Sequence, residues 1–195
     1  MALQRVSYFP MKATKTASDD VKTAKTPTSA ETSDPMQLDR YFMNLAMEEA
    51  RYAASIGEVP VGAVIVRFTT GAEPTVIAKS HNQRESLHDP TAHAEILALR
   101  MAGEKLGNWQ LTDCDLYVTL EPCPMCAGAL INARIRRIIF GCRDPKAGAV
   151  GSIYNLPADG RFNHRPQILE GVAAQDAGRL LKDFFSARRK RPRVS

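Results

Sequence analysis

A chain of 195 residues with 44% hydrophobic content holds one domain of ordinary size, with length left over for tails. No apolar run approaches the length that spans a bilayer, so no membrane role is expected, and four cysteines do not make a disulfide framework, which suits a reducing, cytoplasmic setting. The net charge of +5 and a pI near 9.1 favour a polyanionic partner.

Residues 1–34 read as a disordered extension: from Lys12 the chain is mainly Lys, Thr, Ser, Ala and Asp, without the apolar periodicity that offsets ordering entropy. Asp19, Asp20, Glu31 and Asp34 are out of place in a transit peptide, and no apolar core of a secretory signal is present. The domain is expected over 35–190, followed by a basic tail at 191–195. It should open with a helix capped by Asp34, with Pro35 in the first position and Gln37 completing a capping box. Leu38, Phe42, Leu45, Ala46, Ala53 and Ile56 keep to one face of that helix, and Gly57 ends it.

Val59 to Phe68 and Thr75 to Ser80 read as two strands of a hairpin. A helix follows from His93 to about Lys105, with Ile96, Leu97 and Leu99 toward the sheet and Gly107-Asn108 as the break. Asp115 to Leu120 is a strand, Pro124 to Arg134 a helix, and Arg136 to Phe140 a strand parallel to the one before. Residues 142–152 are a glycine-rich loop too long for a mere connector. A short strand near Gln167 to Glu170 precedes a last helix, which carries Ala177, Leu180, Leu181, Phe184 and Phe185 on one side and ends in Arg188-Arg189-Lys190-Arg191. The order of elements is that of an α/β domain, whose active sites gather at the carboxyl ends of strands.

Two short motifs carry the chemistry: Thr91-Ala92-His93-Ala94-Glu95 and Glu121-Pro122-Cys123-Pro124-Met125-Cys126. A catalytic zinc takes three protein ligands and leaves one position open, and His93, Cys123 and Cys126 supply three. The step from Cys123 to Cys126 spans nearly one helical turn, so both sulfurs can face one ion, and a helix start favours thiolates. Glu95 is too near His93 to serve as a second ligand. Its expected work is to carry protons, from an activated water to a ring nitrogen and then to departing ammonia. A lone Cys-x-x-Cys could be redox-active or half of a structural zinc site; the paired His and Glu at a second helix start favour catalysis. Cys114 and Cys142 stand alone and read as buried thiols.

Together the motifs are the signature of zinc nucleobase deaminases, and from Met36 to Lys190 the chain resembles the bacterial-type tRNA-specific adenosine deaminases. The resemblance rests on Glu58 to Ala63, Asn82, His88 to Glu95, Leu120 to Ala129, Gly141 to Ala149, Asn163-His164-Arg165 and Phe184-Phe185 with the arginines that follow. It implies a three-layer α/β/α domain of the cytidine deaminase type with a mixed five-stranded sheet, one Zn2+ per subunit and a homodimer that holds a tRNA anticodon loop. The implied reaction converts the wobble adenosine, expected in an arginine tRNA, to inosine by attack of metal-activated water on C6. Asn82 would bond the target nucleoside, Asp144 the preceding nucleotide and Asn163 a flipped neighbour. Val59, Pro60 and Ala94 would line the pocket, with Phe185, Arg188 and Arg189 contributing to the nucleotide and phosphate contacts. Two rivals are a deaminase of a free base such as guanine or cytosine, and a zinc-stabilised RNA-binding subunit without catalysis.

Overall fold

The computed structural model describes residues 34–190. Most of the expected N-terminal extension and the tail at 191–195, Arg191 included, lie outside those residues. The elements in chain order are α1 (Pro35–Ser55), β1 (Gly62–Arg67), β2 (Thr75–His81), α2 (Arg84–Leu87), α3 (Ala94–Leu106), β3 (Cys114–Leu120), α4 (Pro124–Asn132), β4 (Arg137–Cys142), β5 (Gln167–Glu170) and α5 (Ala174–Lys190). The strands form one five-stranded sheet in the order β2-β1-β3-β4-β5. β1 is antiparallel to β2 and β3, while β3, β4 and β5 run parallel, so the sheet is mixed as expected.

Strand periodicity explains the layers. Successive side chains point to opposite faces, and in β1, β3 and β4 the set Ala63, Ile65, Leu116, Val118, Ile138 and Phe140 joins the core under α3 and α4. The alternate set Val64, Val66, Tyr117 and Ile139 meets Phe42, Met43 and Ala46 of α1. Both faces are apolar, which is why β3 is buried along nearly its whole length.

Asp34 caps α1 through a 2.9 Å bond from the Met36 N–H, with Pro35 at the helix start. The expected apolar face holds at Phe42, Ala46 and Ala53 but not at Ile56, which is 47% exposed as the cap residue beyond the last turn. Ala50 and Gly62 set the depth of the contact: a Cβ at Gly62 would fall 2.6 Å from the Ala50 nitrogen, so α1 rests directly on the backbone of β1.

In α3 the expected sheet-facing residues Ile96, Leu97 and Leu99 are only half-buried. Ala94, Ala98 and Ala102 are fully buried instead. They recur every four residues, and their small side chains let the helix approach closely while the larger ones pack at its flanks. The short α2 was not expected, and β1 begins at Gly62 rather than Val59. Of the predicted face of α5 only Ala177 is buried; the Phe184 and Phe185 rings meet edge to face, and Phe185 stays 41% exposed.

The pairing gathers four chain ends at one edge of the sheet. Gly62 pairs with His81 and Ala63 with Val118, so the start of β1 lies beside the ends of β2 and β3. β4 ends there too, since Leu120 pairs with Cys142. Val59 to Val61, Asn82, Glu121 to Cys123 and the loop after Cys142 all leave from this edge.

Candidate metal centre and active site

Two helices begin at that edge. His93 is the residue before α3 and Cys123 the residue before α4, with Cys126 in the first turn of α4. His93 Nδ1 stands 3.7 Å from Cys123 Sγ and 3.5 Å from Cys126 Sγ, and all three donor atoms lie within 4.8 Å of one another. Bonds of zinc to nitrogen and sulfur at tetrahedral angles give an N to S edge of about 3.6 Å. The donor triangle therefore already has the dimensions of a zinc site. Among the described residues this is the one group of His, Cys, Asp and Glu with such spacing.

The electrostatics fit a cation. Accepting a bond from Cys126, aided by His93, brings the Cys123 thiol down to about 4. The same bond, together with burial, pushes Cys126 strongly up, so without a cation the pair holds one proton between them. The contact with Cys123 likewise raises the His93 imidazole. A dication replaces that shared proton and stabilises both thiolates.

Glu95 sits one residue into α3, 3% exposed, and its Oε2 is the sole buried side-chain oxygen or nitrogen without a hydrogen-bond partner among the described residues. Burial pushes its carboxyl up. A buried acceptor left unpaired costs free energy, so its retention points to a partner that arrives with substrate or water.

The first turn of α3 is capped from outside. Asn82, 4% exposed at the end of β2, accepts the Ala94 N–H through Oδ1 at 2.9 Å, whereas Asp89 closes its own turn by accepting from the Thr91 N–H and hydroxyl, each at 2.7 Å. Capping consumes the Asn82 oxygen and leaves its amide donors for a ligand. Ala94 itself is fully buried, so its N–H serves the cap.

A cavity of about 720 Å³ opens over the metal triangle. It brings together the expected residues Val59, Asn82, His93, Glu95, Cys123, Asp144, Phe185 and Arg189, and adds Arg84, Lys146, Leu181 and Lys182. Pro60 is buried beside its wall. Asn163 is elsewhere, in a larger concavity of about 1060 Å³ between α3 and α4, where Arg134 bonds its carbonyl at 3.2 Å and Trp109 is 65% exposed. Size alone would have misplaced the site. Arg188 points to Glu85 of α2, a 3.2 Å pair whose partners are both more than half exposed.

Sequence reasoning missed the part played by Glu121. Burial would raise its carboxyl, but bonds from Ser152, Asp144 and Val150 outweigh this and hold it below the usual carboxylate range. Its place two residues before a metal ligand gave no sign of donors 23 to 31 residues further along. Cys114, by contrast, is the inert buried thiol expected, pushed up to about 12 by burial.

A three-layer fold with a His-Cys-Cys triangle and a buried carboxylate at the strand ends defines a zinc-dependent deaminase. The family described as "Cytidine and deoxycytidylate deaminase zinc-binding region" matches residues 36–142. The chain is 42% identical to the tRNA-specific adenosine deaminase of Bacillus subtilis over 160 residues, which cover 82% of this chain and 96% of that one. A solved structure from a study of A-to-I editing by tRNA:A34 deaminases aligns with a TM-score of 0.67 at 47% identity, over 72% of this chain and 99% of its own. Guanine deaminase from Nitrosomonas europaea is more distant, at 25% identity and a TM-score of 0.63 over 75% of this chain and 84% of that one. The chain belongs to the tRNA-specific adenosine deaminases.

Proposed function

We propose that the chain deaminates the wobble adenosine of a tRNA anticodon to inosine, with arginine tRNA as the expected substrate. The observation that carries the chemistry is the unpartnered Oε2 of Glu95 beside a donor triangle of zinc dimensions. His93, Cys123 and Cys126 would hold the ion. Bound there, zinc supplies the charge that makes water ionisable near neutral pH. Glu95 takes a proton from the attacking water and passes it to the adenine ring nitrogen beside C6, then takes the proton of the new C6 hydroxyl and delivers it to the amine as it leaves. Water and adenosine become inosine and ammonia, and the carboxylate ends as it began. Burial suits Glu95 to this, since a carboxyl raised above its ordinary value takes up a proton more readily.

Asn82 donates its amide to the target nucleoside, Asp144 contacts the preceding nucleotide, and Val59 and Phe185 flank the base. The rim supports an RNA substrate rather than a free base: Arg84, Lys146, Lys182 and Arg189 ring the cavity, where a neutral purine has no use for them. A homodimer joined across the α3 and α4 groove would cover Trp109, and Asn163 would serve the anticodon from that interface. The reaction belongs in the cytoplasm. Among the described residues no helix is long and apolar enough to cross a membrane.

The test is to incubate the zinc-loaded chain with an unmodified arginine tRNA transcript bearing wobble adenosine and to sequence the product. Adenosine read as guanosine at that position, absent with Glu95→Ala, is the expected result. Ammonia released from guanine but no change in tRNA would transfer the chain to the free-base reading that the guanine deaminase likeness favours.

A further inference from the structure

The most heavily bonded carboxylate near the metal centre is Glu121, and no step of the reaction uses it. Its side chain, 2% exposed, accepts the backbone N–H of Asp144 at 3.0 Å, of Val150 at 3.1 Å and of Ser152 at 2.9 Å, together with the Ser152 hydroxyl. Two backbone bonds reinforce the join: the Glu121 N–H reaches Cys142 O, and the Ala149 N–H reaches Pro122 O, each at 2.9 Å. Gly148 makes the space, since a Cβ there would run into the Glu121 carboxylate and would stand 2.6 Å from Asp144 O.

The loop so gathered lines the cavity with Arg143 to Ala147. Between β4 and β5 it has only one short 3-10 turn and one isolated bridge, so no ladder fixes its shape. Donors from separate parts of the loop converge on one buried anion that directly precedes the Pro122-Cys123 turn. A charged acceptor gives each such bond more strength than a neutral one.

We propose that Glu121 is a positioning residue: it clamps the Asp144 to Ala147 wall to the metal-ligand turn and so sets how tightly the RNA substrate is held, without touching the reacting atoms. This rests on the tRNA reading above. The proton transfers belong to Glu95, so loss of the clamp falls on KM and leaves kcat nearly intact.

Glu121→Gln keeps the size but turns an NH2 toward donors. The expected result on zinc-loaded protein is unchanged metal content, a KM for an anticodon stem-loop raised about tenfold, kcat within about threefold, and faster hydrogen exchange at the amides of 144, 150 and 152. Glu121→Asp retains the charge one methylene short and falls between. Ser152→Ala removes one donor and moves KM the same way by less, which decides the matter should the Gln variant not fold. Unchanged KM and exchange, a fall in kcat alone, or loss of zinc without a change in KM would each overturn the clamp. Exchange needs no substrate: faster exchange in a protein that ignores tRNA fails the tRNA reading alone, and unchanged exchange fails this one alone.

Discussion

The two ends of the sheet each hold a buried polar cluster, and they differ in what they leave unmade. At the end away from the cavity, the Tyr117 hydroxyl and Arg137 both donate to Asp39, at 2.7 and 2.8 Å, while Arg136 donates twice to Asp115, at 2.7 and 2.8 Å, and lies over the Phe68 ring. Both carboxylates are satisfied. At the cavity end Glu95 Oε2 has no hydrogen-bond partner, and His93, Cys123 and Cys126 stand at the spacing of zinc ligands. Saturation marks the cluster that holds the fold together; an open valence marks the one that reacts.

Removing the metal should produce the widest separation between the ends. A chelator is expected to abolish inosine formation, with recovery on adding one equivalent of zinc, and to lower the melting temperature; at a hundredfold excess over Kd the linked stabilisation is about 2.7 kcal/mol. Retained activity in metal-free protein, verified by elemental analysis, would collapse the contrast. Next is Glu95→Gln, for which single-turnover assays should give a rate about 10³- to 10⁴-fold lower. Its melting temperature should match or exceed the wild type, since a neutral amide replaces a carboxyl whose charged form burial disfavours.

Asp115→Ala should do the reverse. It strands Arg136 while Arg137 keeps Asp39, and denaturant titration should report a loss of about 2 to 3 kcal/mol, at the low end for a broken buried pair because Arg136 is 40% exposed. Turnover per folded molecule should stay within about twofold, and a large fall in kcat would show that the two ends are not separate. The smallest effects belong to the last turn of α5. Arg189→Ala should lower the salt slope of RNA binding by about one unit, and Arg188→Ala by less, because Arg188 already has Glu85; its stability cost should stay below about 0.5 kcal/mol.

Legibility in the sequence followed the range of the interaction. The His-Cys-Cys group could be read because Cys123 and Cys126 lie nearly one helical turn apart and His93 precedes a second helix, and β3, β4 and β5 because apolar runs and turn residues bound them. The alanine seam of α3 was hidden: hydrophobicity points to Ile96, Leu97 and Leu99, whereas the distance between helix and sheet selects the smallest side chains. Asn82 was expected at the substrate, but its capping of α3 depends on a pairing across the chain that no local pattern reveals. Glu121 was hidden for the same reason, its donors lying 23 to 31 residues further along. Arg188 read as a free phosphate contact because a charge run gives no sign of Glu85, 103 positions earlier.

The strand order has a consequence for synthesis. β3 lies between β1 and β4, so until it has been made the first hairpin has an open edge, and a chain emerged only as far as Leu111 offers His93 as its single zinc ligand. Once Cys126 has emerged, all three ligands are out and β3 can fill the edge of β1. Completion of the ligand set thus coincides with closure of the antiparallel half of the sheet, and a chain that stops short of Cys126 lacks one of the two thiols.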